Sequence, residues 1–337
     1  MTHPVHTPVV AADGGLVRFA LADLLAGVPG PMRVELTDAA AAEPWLTRLV
    51  GTEHALEALA AGHVDVPARP ELAVLALLLW ARRWWPASPV LGVPPLDPAL
   101  LDLEAAVATV AVENVAEGLL DGFEATPAEL FDAAVEGIAA TAVADEVRGL
   151  CLRLSAWFDD QDDVVRAEAA AALAAAASPG QRAYALAAGA EPAASAAGIV
   201  AEGRASVDWA RVPPGILDAA ENTVTWRIVA APAAARLEVE VAGAFADADL
   251  TAFATRDGEV VAEVPLHLGA GRFAGAAELT GSVHIGLIVG VTAEEVIGTT
   301  PADRAEVVSL VLAREALPPE ARTLAERAVA ASAEEEF

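Results

Sequence analysis

The feature that most constrains the fold is a change in the spacing of hydrophobic residues near Thr223. Before it, apolar residues recur at helical spacing, as in the run 70–85, PELAVLALLLWARRWW. After it, apolar and polar residues alternate in TVTWRIV (223–229) and RLEVEV (236–241), which is the period of a β-strand with one dry and one wet face. The sequence therefore predicts helices followed by a sheet.

Turn signals divide the region after Thr223 into short strands. Asp257-Gly258 stands between two strand-like runs and is typical of a tight hairpin, and a second turn is expected at Gly269 to Gly271. Roughly six short strands at regular spacing favour an antiparallel β-sandwich. The predicted fold class is α+β: a helical N-terminal domain, a small antiparallel sandwich-like β-domain and a C-terminal helical tail.

The length of 337 residues exceeds what one hydrophobic core normally serves, so two domains are expected. We predict a mainly helical domain over 1–200, a β-domain over 207–298 and C-terminal helices over 299–337. The connecting segment 207–220 contains Trp209, Val212, Ile216 and Leu217. These residues are too apolar for a free tether, and we expect them to dock the two domains together.

Composition limits the classes of partner. The net charge is −29, and all 20 basic residues are arginine. A surface this negative repels phosphate backbones and anionic lipids, so neither nucleic acid nor a membrane surface is an expected partner, whereas a basic protein is possible. Cys151 is the single cysteine, and the N-terminus lacks the pattern of a secretion signal. We therefore expect a cytoplasmic protein.

Four aspartates in the run 157–170, WFDDQDDVVRAEAA, allow two interpretations. Asp159 and Asp163, four residues apart on a helix, are candidate ligands for Mg²⁺, which prefers carboxylate oxygens. Alternatively, Asp162 or Asp163 accepts hydrogen bonds from the first turn of the following helix, where negative charge is favourable. We favour the cap over the metal site.

The same residues carry two resemblances. DDQDD (159–163) resembles the DDxxD motif of terpene and prenyl synthases, which implies Mg²⁺ and a diphosphate substrate. The second metal motif of those families does not begin at Asn114 or Asn222. The segment 144–177 also resembles a HEAT-type helical hairpin, carried by Val164, Val165, Arg166, Ala169 and Leu173. That likeness implies stacked helices and contact with another protein.

Other motifs give little support to catalysis. His54 and His63, with Glu53 and Glu57 nearby, lack the HExxH spacing of a zinc site, and Cys151 falls on the apolar stripe of a predicted helix. Neither a GxSxG elbow nor a glycine-rich phosphate loop is present in the sequence. We therefore expect no catalytic residue and no cofactor.

Two groups of residues are candidate contacts for a protein partner. Trp80 and Trp84 share one face of the helix 70–85, which suits either a stacking platform or a packed helix end. The wet face of the predicted sheet carries four charged candidates: Arg227, Arg236, Glu238 and Glu240.

The sequence thus favours a non-catalytic scaffold or accessory subunit of a cytoplasmic bacterial complex. Two alternatives stay open. One is a metal-dependent hydrolase or transferase with its active site between the domains. The other is a peptide or sugar recognition module on the β-domain.

Overall fold

The computed structural model describes residues 3–121, 123, 125–138, 142–177, 198–230, 234–280, 284–294 and 296–335. The chain forms two compact units. The first combines Met1–Arg83, Leu96–Ala183 and Ser309–Phe337, and the second combines Trp84–Pro95 and Tyr184–Val308.

Secondary structure in the first half of the chain mixes short strands with helices. The elements are β1 (Val9–Ala12), β2 (Gly15–Arg18), α1 (Leu21–Leu25), β3 (Met32–Leu36), α2 (Ala39–Val50), α3 (Thr52–Ala61), β4 (His63–Val66), α4 (Pro70–Trp84), α5 (Pro98–Val115), α6 (Pro127–Gly137), α7 (Ala144–Asp160) and α8 (Val164–Ala176). None of the helices in the described part of the chain is long and apolar enough to cross a membrane.

The described residues of the second half of the chain form seven strands and two α-helices. They are β5 (Ile199–Ala205), β6 (Val224–Val229), β7 (Ala235–Ala242), β8 (Leu250–Arg256), β9 (Glu259–Gly269), β10 (Arg272–Leu279), β11 (Gly286–Gly290), α9 (Pro301–Ala313) and α10 (Leu324–Glu335).

The prediction of a helical N-terminal domain is wrong. The chain begins with an antiparallel sheet in the order β1-β2-β3-β4. Trp45 of α2 is fully buried, and its indole N–H donates to the carbonyl of Asp13 at 2.7 Å. These strands are four or five residues long and are interrupted by helices. A period of two is hard to recognise over so few residues, so the helical pattern around them dominated the prediction.

Helix α5 is the centre of the first unit, where α6, α7 and α10 pack against it. Because neighbours cover it on several sides, residues on most of its surface are buried. Helix α6 begins with a capping box, in which Thr126 and Glu129 exchange side-chain and backbone hydrogen bonds, and it ends at Gly137.

Helices α7 and α8 form the helical hairpin expected over 144–177. They pack on each other, and the Ser155 hydroxyl of α7 donates to the carbonyl of Ala167 in α8 at 2.9 Å. The apolar stripe expected on α7 is buried, and it includes Cys151. Burial raises the pKa of the Cys151 thiol to about 11, which disfavours a reactive thiolate.

The second unit contains one seven-stranded antiparallel sheet in the order β11-β8-β9-β10-β7-β6-β5. The predicted sandwich of two sheets is therefore wrong, because every described strand after Ile199 joins one continuous ladder. Both expected turns are confirmed. Asp257 and Gly258 have φ of 52° and 85°, and the β9–β10 turn holds Ala270 at 51° and Gly271 at 73°.

The connecting segment belongs to the core of this unit. Val207, Val212 and Leu217 are buried against the apolar face of the sheet. Its docking of one domain on the other stays a prediction.

Candidate functional site

The candidate site is the polar face of the seven-stranded sheet. Strands β6 and β7 pair so that Arg227 is opposite Glu238 and Thr225 is opposite Glu240. Successive side chains of a strand point to opposite faces, so Val224 and Ile228, which alternate with Thr225 and Arg227, belong to the hydrophobic core. The alternation read from the sequence thus gives a polar face exposed to solvent.

A wide concavity, which we call the charged groove, runs over this face with a volume of about 1150 Å³. This volume exceeds the roughly 300–1,000 Å³ of typical small-molecule sites. Strands β5, β6, β7 and β10 line it, and three interstrand spacings of roughly 4.8 Å give it a width of about 14 Å. The charged side chains that line it are Glu202, Arg204, Arg227, Arg236, Glu238, Glu240 and Arg272.

Small side chains keep part of the groove shallow. Ala274 and Ala276 of β10 lie opposite Glu240 and Glu238 of β7, so charged side chains stand beside alanines. Between them, a Cβ on Gly275 would come within 2.2 Å of the Pro265 carbonyl oxygen on β9. Glycine at this position therefore lets β9 and β10 approach closely under the groove.

Ion pairs fix most of the charged side chains. The Arg227 Nε lies 2.6 Å from Glu238 Oε2, and Arg236 Nε lies 3.5 Å from Glu238 Oε1. On the neighbouring strand pair, Arg272 Nη1 donates to Glu240 Oε1 at 2.5 Å. Two cross-strand ion pairs and one ion pair within β7 thus hold three arginines with two glutamates.

The groove has a local excess of positive charge. Four arginines and three glutamates line it, in a chain whose net charge is −29. Arg204 is exposed and forms no hydrogen bond or ion pair with any residue that the structure describes. Its guanidinium is therefore available to an anionic group of a ligand.

Three of the charged lining residues were absent from the sequence-based candidates: Glu202, Arg204 and Arg272. The alternation in IVAEGRA (199–205) was the signal for the first two. It was missed because the helical domain was assigned to 1–200 and the β-domain to 207–298, so this strand fell across the assumed boundary. Arg272 directly follows the expected turn at Gly271, so its place at the start of a strand could have been read from the sequence.

The two tryptophan candidates occupy the end of α4. Trp80 is only 3% exposed, and its indole N–H donates to the Val5 carbonyl at 2.7 Å. Trp80 therefore belongs to the core of the first unit. Trp84 is half-buried and has contacts of its own.

Asp163 forms the N-terminal cap of α8, as expected. Its Oδ1 accepts the backbone N–H of Arg166 at 3.2 Å, and its Oδ2 pairs with Arg166 Nη1 at 2.7 Å. The hydrogen bond from the Arg166 side chain lowers the pKa of Asp163 below its ordinary value of 3.8. Arg166 also binds Asp132 of α6. Asp163 is therefore part of an ion-pair network that connects α6 with α8.

The other metal candidates lie apart from any ligand cluster. Asp159 is exposed at the end of α7. His54 is on α3, where its Nδ1 lies 3.2 Å from the Val50 carbonyl oxygen, while His63 begins β4. Across the described ranges, no three His, Cys, Asp or Glu side chains are grouped closely enough to hold a metal ion.

Comparisons with known proteins identify no relative of this chain. No protein-family model matches the chain, and no curated protein or solved structure does so either.

Proposed function

We propose that this chain is a non-catalytic binding protein whose charged groove holds an extended acidic segment of a protein partner. The observation that carries the proposal is the excess of arginine in the groove of a strongly acidic protein. Large volume and open shape favour a polypeptide over a compact metabolite.

The local charge changes the expected character of the partner. The net charge of −29 favours a basic protein, but the Debye length is only about 8 Å at physiological ionic strength. A ligand inside the groove therefore responds mainly to the arginines around it. Arg204 offers an uncompensated guanidinium, and guanidinium groups bind carboxylates in bidentate geometry.

Membership of a cytoplasmic bacterial complex, the expectation drawn from the sequence, remains part of this proposal. Recognition of a sugar at the same face is the competing outcome, since a polar sheet face can also present hydrogen bonds to hydroxyl groups.

The test is fluorescence anisotropy with labelled peptides of about ten residues, which span roughly 33 Å when extended. One peptide alternates Glu and Ser, a second alternates Lys and Ser, and an oligosaccharide is added as competitor. The acidic peptide is expected to bind more tightly than the basic one. Displacement by the neutral oligosaccharide, with no preference between the peptides, would contradict the proposal.

Charge reversal of an arginine tests whether the acidic peptide binds in the charged groove. Arg204→Glu is expected to weaken the acidic peptide about fivefold or more, which corresponds to ~1 kcal/mol. The matched control is Arg48→Glu, which changes the net charge equally at an exposed position of α2. Equal loss in both variants would mean that the overall charge, and not the groove, governs binding.

A further inference from the structure

A second cavity, of about 530 Å³, lies among α4, α5, α7 and α10 of the first unit. Its volume falls within the range of roughly 300–1,000 Å³ that is usual for small-molecule sites. The wall is mostly apolar and is formed by Val74, Val107, Ala108, Ala111 and Leu150. Such a wall suits the hydrocarbon body of a small ligand.

Gly149 opens this cavity on the side of α7. It lies inside that helix, where glycine is disfavoured because of its backbone freedom. A Cβ built on Gly149 would meet no atom within 4 Å. Close packing therefore does not demand glycine here, and the missing side chain leaves space in the cavity.

Glu104 brings a carboxyl group to the same cavity. Its Oε2 accepts the backbone N–H of Leu324, at the start of α10, at 2.7 Å. Its Oε1 accepts no hydrogen bond from the residues that the structure describes, and neither oxygen has an arginine within ion-pair distance among them. Burial raises the pKa of Glu104 to about 7, with backbone and charge interactions lowering it only in part.

Three of the helices around Glu104 contribute charged groups. Helix α4 contributes Glu71, α7 contributes Glu146 and Arg153, and α10 contributes Glu326 and Arg327. Arg327 Nη1 lies 3.6 Å from Glu146 Oε1, so its charge is shared with another carboxylate. Glu326 in turn binds Arg314.

The charge balance of the cavity favours a cation. Its lining holds three glutamates, Glu71, Glu104 and Glu146, against two arginines, Arg153 and Arg327. An added anion would meet the partly buried Glu104, whereas an added cation would supply the partner that this carboxylate lacks.

We propose that this cavity binds a small organic ammonium ion, with the ammonium group at Glu104 Oε1 and the apolar body against the wall formed by α4, α5 and α7. The ligand class is an amine with a short aliphatic or aromatic body. Binding of the cation favours the ionised carboxylate, so it couples to proton release. Because burial raises the pKa of Glu104 to about 7, part of the population is protonated near neutral pH, and protons leave as the ligand binds.

Three probes with one body and different head groups test the ligand class: phenylpropylamine, phenylpropanol and phenylpropanoate. Isothermal titration calorimetry near pH 7, in two buffers of different ionisation enthalpy, gives affinity, stoichiometry and proton release together. The amine is expected to bind one site at least about tenfold more tightly than the alcohol, which corresponds to 1.4 kcal/mol. Equal binding of amine and alcohol, absence of saturable amine binding, or zero proton release would overturn the proposal.

Two variants test whether the ligand binds in the cavity. Gly149→Leu fills the open space and is expected to weaken the amine about tenfold or more, while Ala156→Leu adds the same side chain at an exposed position of the same helix and leaves binding unchanged. Circular dichroism and thermal unfolding check that both variants fold. Unchanged amine binding in folded Gly149→Leu would refute the location.

Glu104→Gln removes the negative charge but keeps the shape of the cavity. It therefore tests whether the carboxylate binds the amine even if Gly149→Leu fails to fold. The amide oxygen can still accept the Leu324 N–H, but the negative charge and the proton release are lost. Glu136→Gln removes the same charge from the exposed face of α6 and serves as the control for non-specific attraction of amines. Equal weakening in both variants would indicate surface binding only and would reject the site.

Discussion

Arg314 and Glu326 form a bidentate ion pair inside the first unit. Arg314 Nε and Nη2 each donate at 2.7 Å to one oxygen of the Glu326 carboxylate, and the side chains are 1% and 9% exposed. The same guanidinium donates to the carbonyls of Leu24 and Leu25 at the end of α1 and to that of Ala321. One arginine near the C-terminus therefore satisfies the carbonyls that end a helix near the N-terminus.

Removal of this arginine is expected to be severely destabilising. Arg314→Met leaves the buried Glu326 carboxylate without its ion-pair partner and removes a donor from several carbonyls, and breaking a buried ion pair costs about 3–5 kcal/mol. Arg48 and Glu117 provide the comparison, since they also lie 2.7 Å apart but are 53% and 81% exposed. Arg48→Met is expected to cost less than about 1 kcal/mol. Urea unfolding measures both, and similar losses would contradict the role assigned to burial.

Local patterns predicted the elements of this fold better than their arrangement. Asp257-Gly258 was recognised as a hairpin, and its backbone angles confirm it. The identical pair Asp13-Gly14 joins β1 to β2 and carried the same signal, but the strands beside it are only four residues long. Because no long alternating run accompanies this turn signal, the sequence did not predict strands on either side of it.

Long-range contacts were beyond any local pattern. The Leu324 amide that binds Glu104 is 220 residues away in the sequence, and Leu24 and Arg314 are 290 apart. Alternation did identify Arg227, Arg236, Glu238 and Glu240 as one polar face. It could not reveal the excess of arginine, because β5 and β10 contribute residues from distant parts of the sequence.

The partly buried Glu104 carboxyl is expected to make stability fall as pH rises. Burial raises its pKa from 4.5 to about 7, so between these values the folded chain binds more protons than the unfolded chain. This contribution is fully present below pH 4.5 and is lost through pH 7. At 1.36 kcal/mol per pKa unit, the loss is on the order of 3 kcal/mol.

Comparison of the wild-type chain with Glu104→Gln isolates this effect. The free energy of unfolding is measured in urea across pH 4.5 to 8, and the wild-type chain is expected to lose stability relative to the variant as pH rises. Glu136→Gln, which removes an exposed charge, is expected to follow the wild-type slope. Parallel curves for all three chains would show that Glu104 ionises as readily when folded as when unfolded.

Two glycines with equal space around them are expected to respond oppositely to alanine. A Cβ on Gly149 or on Gly62 would meet no atom within 4 Å, but Gly62 has φ of 80° at the C-terminal cap of α3. Gly149→Ala should stabilise the chain by about 0.5–1 kcal/mol because alanine favours the helix. Gly62→Ala should destabilise it because alanine is strained at positive φ. Thermal unfolding of both variants checks this, and the same sign in both would contradict it.

The cap at Asp163 is expected to contribute to stability in a way that the neighbouring Asp160 does not. Asp163→Ala removes the acceptor for the Arg166 N–H and should lower the Tm by a few degrees, whereas the exposed Asp160→Ala should change it little. The lowered pKa of Asp163 means that its contribution is present above pH 3.8 and is lost as pH falls further. Scanning calorimetry at neutral and acid pH tests both statements. A Tm deficit that persists unchanged in acid would rule out an effect of the ionised carboxylate.

Binding of an acidic peptide to the charged groove is expected to pass through an optimum in salt. At ~0.01 M salt the Debye length is about 30 Å, so the whole charge of −29 repels the peptide. At ~0.1 M the screening length falls to about 10 Å, the distant charges are screened and the arginines of the groove dominate. At ~1 M it falls to about 3 Å, and the local attraction is also weakened.

The affinity for the acidic peptide, measured by anisotropy, should therefore rise and then fall as salt increases, and Arg204→Glu should flatten the maximum. A Lys/Ser peptide should weaken steadily over the same range, and the same steady course for the acidic peptide would show that the groove has no separate electrostatic character.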